Sequence, residues 1–272
     1  MNQLPNIKNI IAIASGKGGV GKSTTAVNLA LAFSKEGART GILDADIYGP
    51  SQPLMLGVTT RPEIKDKKTM FPVMAHGIQS MSIGYLIDDT SPMAWRGPMV
   101  SMALLQLLND TKWDDLEYLV IDLPPGTGDI QLTLTQKIPV SGAVIVTTPQ
   151  DIALLDARRA YEMFRKVNVP VLGIIENMSI HICSQCGHQE SIFGTGGGAQ
   201  MAERYAIELL GQLPLDIHIR EHADSGKPTV IADPDSANAL LYRDIAKRIM
   251  AKLALQGQNE SGKFPTIVIK ND

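Results

Sequence analysis

One glycine-rich segment restricts the possible folds of this chain more than any other part of its sequence. Residues 16–23 read GKGGVGKS, which matches the pattern G-x4-G-K-[ST]. An isoleucine-rich apolar run, residues 9–14, precedes the segment, and apolar residues at helical spacing follow it over residues 22–33. A glycine-rich turn between a buried strand and a helix is typical of a loop that binds phosphate.

The loop supplies the groups that a nucleoside triphosphate requires. Its glycines let successive backbone N–H groups point toward a phosphate, and the positive end of the following helix strengthens the attraction. The Lys22 ammonium group is predicted to reach the β- and γ-phosphates, and the Ser23 hydroxyl to coordinate Mg²⁺. The pattern therefore predicts that the chain binds and hydrolyses ATP with Mg²⁺. The predicted nucleotide-binding residues of this segment are Gly16, Lys17, Gly18, Gly19, Val20, Gly21, Lys22, Ser23 and Thr24.

The segment contains a second lysine, Lys17, near its start. Because Lys22 already serves the phosphates of its own loop, we expect Lys17 to act on a nucleotide held by a second subunit. A cation in that position neutralises charge that develops during phosphoryl transfer, as an arginine finger does. The alternative is a solvated loop lysine with no part in catalysis.

Predicted strands and helices alternate along the chain. The predicted strands are residues 9–14, 40–43, 118–121, 143–146, 171–175 and 209–213, and the main helices are residues 22–33, 99–108, 152–167 and 237–253. This order predicts an α/β fold with a mostly parallel central sheet and helices on both faces. Residues 59–82 break the alternation and are expected to form an irregular excursion with a small hairpin.

Length and composition predict one cytoplasmic domain. With 272 residues, 44% of them apolar, the chain is near the upper size that one core fills. We assign residues 1–255 to an ATPase domain with an insertion near residues 180–198, and residues 256–272 to a flexible tail. A net charge of −3 points to neither nucleic acid nor membrane as a partner. No signal pattern and no bilayer-length apolar run is present in the sequence.

Three aspartates at predicted strand ends fit the remaining chemistry. Asp122 ends an apolar strand and precedes LPPGTG, so it is predicted to hold Mg²⁺ directly or through water. Asp44 and Asp46 lie two residues apart at another strand end and therefore point to the same side. One of them is predicted to orient the attacking water and the other to support the metal. The alternative for either residue is that it only caps the turn over residues 48–50.

Together these motifs resemble the deviant Walker A ATPases of the MinD, ParA and nitrogenase-iron-protein group. Further segments are similar to the Mrp/ApbC subgroup, whose members are iron–sulfur cluster carrier ATPases. These segments are DADIYGPS (44–51), WRGP (95–98), IDLPPGTGD (121–129), ENMS (176–179), the CxxC at 183–186 and FGTGGG (193–198). The similarity runs from about Asn9 to Leu253, which is nearly the whole chain.

The resemblance implies a homodimer with ATP near the interface and Lys17 reaching the partner's nucleotide. By position, Asp46 is the residue that positions water, so Lys17, Lys22 and Asp46 form the expected catalytic set. Ser23, Asp44 and Asp122 form the expected magnesium set. Asn177 corresponds to an adenine-binding residue, and Pro214 is expected to line the base. The expected activity is a slow, Mg²⁺-dependent ATP hydrolysis.

The chain contains two cysteines, Cys183 and Cys186. A four-iron cluster usually takes four thiolates, so two chains related by a twofold axis supply a full set and share a labile [4Fe–4S] cluster. The alternatives are zinc held with His181 or His188 or by both subunits' thiolates, a thioredoxin-like redox pair, and two buried unliganded thiols.

The function that we predict is that of an iron–sulfur cluster carrier. It would accept clusters from assembly scaffolds and transfer them to apo-proteins. One alternative is a positioning ATPase of the MinD/ParA kind, with residues 240–253 as a basic amphipathic helix, and another is a zinc-binding regulatory ATPase. A reductase like the nitrogenase iron protein is disfavoured, because that family's cluster cysteines lie elsewhere. Arg96 receives no assignment, and the methionines between residues 70 and 102 are expected to be core.

Overall fold

The computed structural model describes residue 4 and residues 6–66, 68–87, 97–183 and 185–261. Trp95 and Arg96 of the WRGP segment lie outside the described residues, as does the part of the predicted tail that begins at residue 262.

Strands and helices alternate in the described chain much as the sequence predicts. The strands are β1 (Ile7–Ala14), β2 (Thr40–Asp44), β3 (Ile64–Lys65), β4 (Thr69–Met70), β5 (Val73–Ala75), β6 (Ile78–Ser82), β7 (Leu116–Asp122), β8 (Gly142–Thr147), β9 (Val171–Glu176), β10 (His181–Ile182), β11 (Gln189–Glu190) and β12 (Leu209–Gln212). The helices are α1 (Lys22–Lys35), α2 (Gln52–Met55), α3 (Gly97–Asp110), α4 (Asp129–Lys137), α5 (Asp151–Lys166), α6 (Gly197–Tyr205), α7 (Ile217–Asp224), α8 (Thr229–Ala232) and α9 (Ala237–Ser261).

Eight of the strands form one sheet in the order β12-β9-β8-β1-β7-β2-β6-β5. All neighbouring pairs are parallel except β5 and β6, which are antiparallel. The predicted α/β fold class is therefore confirmed. Because the strands are parallel, their carboxyl ends lie along one edge of the sheet, where ligands bind in folds of this kind.

Both faces of the sheet are covered, and β1 shows this most directly. Ile10 and Ala12 belong to a core cluster that includes side chains of α3, α5 and α6. Ile11 and Ile13, whose side chains alternate with these, belong to a second cluster with side chains of α1 and α9. The uninterrupted apolar run at residues 10–14 of β1 is therefore explained by burial on two sides.

The region 59–82 is more regular than the sequence predicts. It contains the expected small hairpin, β3 with β4, but also β6, which pairs with β2 and extends the main sheet. The reason β6 escapes prediction is that its buried side chains are partly polar. For example, Gln79 donates to the Asp114 carbonyl oxygen, and Ser80 donates to the Val73 carbonyl oxygen.

Several smaller expectations differ from the structure. Helix α9 runs to Ser261, so the domain boundary expected at residue 255 lies inside a helix. The methionine expectation is correct for Met70 and Met81, whereas Met99 and Met102 are 53% and 70% exposed. Within the described ranges, no helix combines the length and apolarity that crossing a membrane demands.

Candidate functional site

The phosphate loop joins β1 to α1 at the carboxyl edge of the sheet. Its shape depends on Gly21, which has a φ of 80° and begins the first turn of α1. A Cβ atom at this position would collide with the amide nitrogen of Asn177. That amide donates a hydrogen bond of 2.9 Å to the Val20 carbonyl oxygen. The structure thus places Asn177, predicted to bind adenine, against the outside of the phosphate loop.

A cleft of about 280 Å³ lies over the loop. It brings together Lys22, Ser23, Thr24 and Asp46, which the sequence assigns to nucleotide binding and catalysis. The other lining residues are Ser15, Gly18, Gly19, Gly21, Gly49, Ser51, Met55 and Pro125. The space around Gly18 and Gly19 is open, since nothing lies within 4 Å of a Cβ built on either.

Three predicted loop residues lie outside this lining. Gly16 packs against the backbone of α5, where a Cβ would meet Asp156 and Ala157, and Val20 is buried in the core. Lys17 is half-buried and does not line the cleft of its own chain. The cleft is therefore formed without the Lys17 ammonium group.

A buried ion pair closes the floor of the site. Lys22 Nζ lies 2.5 Å from Asp122 Oδ1, and the exposed fractions of these side chains are 6% and 0%. Lys22 Nζ is also 3.2 Å from the Ser23 hydroxyl oxygen. Lys22, predicted to bind phosphate, thus contacts both the serine and the aspartate predicted to hold Mg²⁺. Removing one partner of such a buried pair leaves an uncompensated charge, which destabilises the folded protein.

Gln52 is a site residue that the sequence analysis does not identify. It occupies the first turn of α2 and is 1% exposed. Its amide nitrogen donates to Asp122 Oδ2 at 2.9 Å and to the Ser23 carbonyl oxygen at 3.1 Å. Gln52 directly follows the DADIYGPS segment, and this position is the feature of the sequence that points to it. The spacing of the motif does not assign a function to a glutamine at that position.

Asp44 organises the loop that follows β2. Its Oδ1 accepts from the Asp46 N–H, and its Oδ2 accepts from the N–H groups of Ser51 and Gln52 and from the Ser82 hydroxyl. It is fully buried, and burial, assisted by the nearby Asp122 charge, raises its pKa to about 7. Both oxygens are engaged by the chain, so this geometry agrees with the alternative in which Asp44 shapes the turn.

Asp46 differs from Asp44 in its surroundings. It lines the phosphate cleft, as a water-positioning residue requires. Burial raises the pKa of Asp46, and the positive charge of Lys22 opposes that increase.

The Asp44 carboxyl group gives a pH-dependent stability that can be measured. Its pKa rises from the usual 3.8 to about 7, so between these values the folded chain binds more protons than the unfolded chain. The free energy of unfolding is therefore expected to fall as pH rises from about 5 to about 7.5, with Asp44 contributing up to about 1.4 kcal/mol per pH unit. In Asp44→Asn the fall should be shallower. Urea unfolding without nucleotide or Mg²⁺ measures both slopes, and parallel curves for the two proteins would contradict this assignment.

Pro214, expected to line the base, lies in a second cleft of about 470 Å³. Cys183 lines the same cleft. Two buried polar atoms there, Thr229 Oγ1 and His222 Nδ1, lack a hydrogen-bond partner among the described residues. The cleft thus offers unsatisfied polar groups beside the cysteine segment.

Both cysteines lie on a short hairpin. Strands β10 and β11 pair antiparallel, the Cys183 N–H donates to the His188 carbonyl oxygen, and the Gly187 N–H donates to the Cys183 carbonyl oxygen. Hydrogen bonds from the N–H groups of Cys186 and Gln185, then from the Cys186 thiol, lower the pKa of Cys183. Both thiols are free, Cys183 being half-buried and Cys186 exposed. The turn therefore presents its sulfur atoms in a form suited to binding a metal.

Among its described residues, the hairpin offers the two cysteines without a third ligand grouped beside them. In the part of the chain that the structure describes, no group of three or more histidine, cysteine or acidic side chains is placed to hold a metal ion. His181 Nδ1 instead lies 3.2 Å from the Leu215 carbonyl oxygen, and His188 is exposed. The alternative of two buried thiols is wrong, because Cys186 is exposed and Cys183 is half-buried. A thioredoxin-like redox pair requires its first cysteine at the start of a helix, and the described part of this hairpin contains no helix.

The FGTGGG segment connects the hairpin to α6, and close packing explains two of its glycines. A Cβ at Gly197 would collide with Leu154, and one at Gly198 would collide with Glu176. The Gly198 N–H donates to Glu176 Oε2 at 2.5 Å, so the start of α6 is held by a fully buried carboxylate. Glu176 directly precedes Asn177, which holds the phosphate loop.

The parallel sheet, the glycine loop between β1 and α1, and the buried lysine beside an aspartate at the next strand's end define a P-loop nucleotide-binding protein. The sequence also matches the family described as ParA, NUBPL iron-transfer P-loop NTPase, over residues 6–250. The chain therefore belongs to this family.

Similar proteins agree with that membership. The chain is 66% identical over 245 residues to the iron–sulfur cluster carrier protein of Pseudomonas fragi, covering 89% of this chain and 85% of that protein. It is 49% identical over 252 residues to the iron–sulfur cluster transfer protein NUBPL of Mus musculus, covering 92% and 79%. A nucleotide-binding protein of Archaeoglobus fulgidus, solved in complex with ADP, is 36% identical with a TM-score of 0.75, covering 87% and 92%.

Proposed function

We propose that this chain is an iron–sulfur cluster carrier that uses slow, Mg²⁺-dependent ATP hydrolysis. Two subunits hold a labile [4Fe–4S] cluster between them, receive it from assembly scaffolds and transfer it to apo-proteins in the cytoplasm. The observation that carries the proposal is the hairpin with accessible Cys183 and Cys186 thiols and no third ligand from its own chain among the described residues.

The number of thiolates favours a shared cluster. Four cysteine ligands are usual for a four-iron cluster, and each chain has two. A twofold axis brings identical surfaces together, so a hairpin near that axis contributes both pairs symmetrically. Clusters held at such a seam are more exposed than clusters enclosed in one chain, which suits transfer.

Exposed apolar side chains at the carboxyl edge support subunit contact there. Tyr48, Ile152 and Ile182 are 62%, 64% and 49% exposed, and each follows the carboxyl end of a different strand of the main sheet. Covering these side chains with a partner subunit would remove apolar area from water, which favours association. Lys17 lies at the same edge, outside its own cleft, where it can serve a nucleotide of the second subunit.

The donors in the phosphate cleft fit Mg·ATP. Ser23 and Ser51 line the cleft, where Ser23 offers a hydroxyl and Ser51 Oγ is a buried oxygen without a partner among the described residues. Asp122 does not line the cleft, but its carboxylate is paired with Lys22, which does. When bound, Mg²⁺ neutralises phosphate charge. Lys22 leaves Asp122 to bind the phosphates, and Asp46 orients the attacking water. Asn177 and Pro214 are proposed to contact the base, as the resemblance implies.

The arrangement of α9 argues against a membrane-binding or DNA-binding positioning ATPase. Ile245 and Ile249 are buried in the core, whereas Leu240, Leu241 and Leu255 are 50%, 36% and 61% exposed. Its basic side chains are paired, as Arg243 is with Glu36 at 2.6 Å and Lys252 with Glu208 at 2.8 Å. Because the isoleucines of this helix are used in the core and its basic side chains are used in ion pairs, a continuous basic amphipathic face is not free to bind a membrane or DNA.

The carrier function is tested by anaerobic reconstitution. The intact protein is incubated with iron and sulfide, freed of excess reagent, and mixed with an apo-protein that requires a [4Fe–4S] cluster. Two irons per subunit, the corresponding absorption spectrum and activation of the acceptor are expected, because the cluster is shared by two chains. A protein that stays colourless, or that binds only zinc, would contradict the proposal.

Lys17→Ala is expected to lower ATP turnover about a hundredfold, because a charge-stabilising group is lost from the partner's nucleotide. ATP affinity should change little, since Lys17 does not line its own cleft. Mixed dimers give the decisive measurement. Inactive Lys22→Ala subunits, which retain Lys17, should restore activity to Lys17→Ala subunits. Absence of that complementation in a confirmed dimer would show that Lys17 does not act across the interface.

A further inference from the structure

The Gln52 side chain joins three segments of the nucleotide site. It extends from the start of α2 and donates to Asp122, at the end of β7, and to the backbone of Ser23, in the first turn of α1. Its own N–H donates to Asp44 Oδ2 at 3.1 Å. Both partners of the side-chain nitrogen only accept hydrogen bonds, so the orientation of the amide is fixed by its contacts.

We propose that Gln52 is a positioning residue that holds the Asp122 carboxylate in the orientation needed for Mg²⁺. This inference rests on the proposed Mg²⁺-dependent ATPase function. Lys22 occupies Asp122 Oδ1 and Gln52 occupies Oδ2. When Lys22 turns to the phosphates, Oδ1 becomes available while Gln52 still holds Oδ2. The carboxylate then presents one oxygen in a fixed direction.

Two unsatisfied oxygens support a role beyond packing. Gln52 Oε1 and Ser51 Oγ are buried and have no hydrogen-bond partner among the described residues. Buried polar atoms are normally paired, so a water molecule or an ion with its water shell is expected to satisfy these two oxygens. Ser51 lines the phosphate cleft. Water molecules around a hydrated cation are donors, and Mg²⁺ usually keeps several of them.

The contacts also connect Gln52 to the loop 45–52. Asp44 accepts from the backbone N–H groups of Ser51 and Gln52, so it fixes the end of that loop to the start of α2. Asp46, on the same loop, lines the cleft. Gln52 therefore ties the segment that carries Asp46 to the carboxylate of Asp122.

The test measures ADP binding to the intact protein by calorimetry over a range of Mg²⁺ concentrations. In Gln52→Met, which keeps the volume but removes the amide, the Mg²⁺ concentration for half-maximal effect should rise about tenfold, as for other partners of metal ligands. ADP affinity without Mg²⁺ should stay within about twofold of wild type, because the phosphate loop is intact. Gln79→Met, at another buried glutamine remote from the cleft, is the matched control and should behave as wild type.

Either of two results would overturn the inference. One is an unchanged Mg²⁺ dependence in Gln52→Met, and the other is an equal loss of ADP affinity with and without Mg²⁺, which indicates a role in loop shape alone. Gln52→Asn, which keeps an amide with a shorter reach, replaces the methionine variant if that variant does not fold, and the same shift is expected. The measurement does not require an iron–sulfur cluster. The effect of Gln52 on Mg²⁺ binding can therefore be determined even if the protein does not carry clusters.

Discussion

Replacing both Cys183 and Cys186 with serine is expected to reduce bound iron and cluster transfer to background while leaving ATP binding unchanged. Serine oxygen is a poor ligand for iron–sulfur clusters, and the hairpin has no third side chain in place to compensate within the described residues. Anaerobic reconstitution, iron analysis and acceptor activation measure the loss, and calorimetry with Mg·ATP measures the retained function.

The stability of the double variant should be close to that of wild type. Cys186 is exposed and Cys183 is half-buried on a hairpin whose turn is held by backbone hydrogen bonds. Substitutions at such positions usually change the free energy of unfolding by less than about 0.5 kcal/mol. Loss of the cluster therefore cannot be attributed to unfolding, and a thermal melt verifies this directly.

His188→Ala is the matched control for the cysteine variant. His188 lies on the same hairpin and is exposed, and it was one of the candidate zinc ligands. If only thiolates bind the cluster, this variant loads and transfers clusters as wild type does. A double cysteine variant that still delivers clusters would refute the carrier mechanism, and a large loss in His188→Ala would assign the histidine as a ligand.

The sequence predicts the individual groups of the site better than their mutual contacts. Lys22 and Asp122 were both assigned from local motifs, but they are 100 residues apart. Their ion pair depends on the register of β1 with β7, in which Ile13 pairs with Asp122. Register between two strands depends on how both strands bury their faces in the assembled sheet, so neither motif specifies it alone.

Strand β6 and the site residue Gln52 are not predicted from the sequence, because both depend on buried polar side chains. Strand β6 was not predicted because Gln79, Ser80 and Ser82 interrupt its apolar pattern, although all three are buried. Gln52 is not predictable in the same way, because its role depends on two side-chain contacts with Ser23 and Asp122. The helix that positions it, α2, has four residues and is too short to give a periodic pattern. The spacing of apolar residues identifies the buried faces of helices and strands. It does not identify buried polar side chains whose hydrogen bonds are made within the protein.

Replacing Lys22 with methionine is expected to remove tight Mg·ATP binding and to lower ATP turnover by a factor of about a hundred to a thousand. The same change should destabilise the chain by about 3–5 kcal/mol, because Asp122 is left buried without its cation. Equilibrium unfolding in urea measures the loss of stability, and calorimetry with Mg·ATP measures the loss of binding.

The double variant Lys22→Met/Asp122→Asn separates the two consequences. Asparagine removes the uncompensated charge and keeps an acceptor for the Gln52 amide, so most of the stability lost in Lys22→Met should return. ATP binding should not return, because the phosphates still lack the Lys22 ammonium group and Mg²⁺ now lacks the Asp122 carboxylate. A double variant as unstable as Lys22→Met would mean that the lysine stabilises the fold through contacts other than Asp122. Recovery of Mg·ATP binding would mean that residues 16–23 do not form the phosphate site.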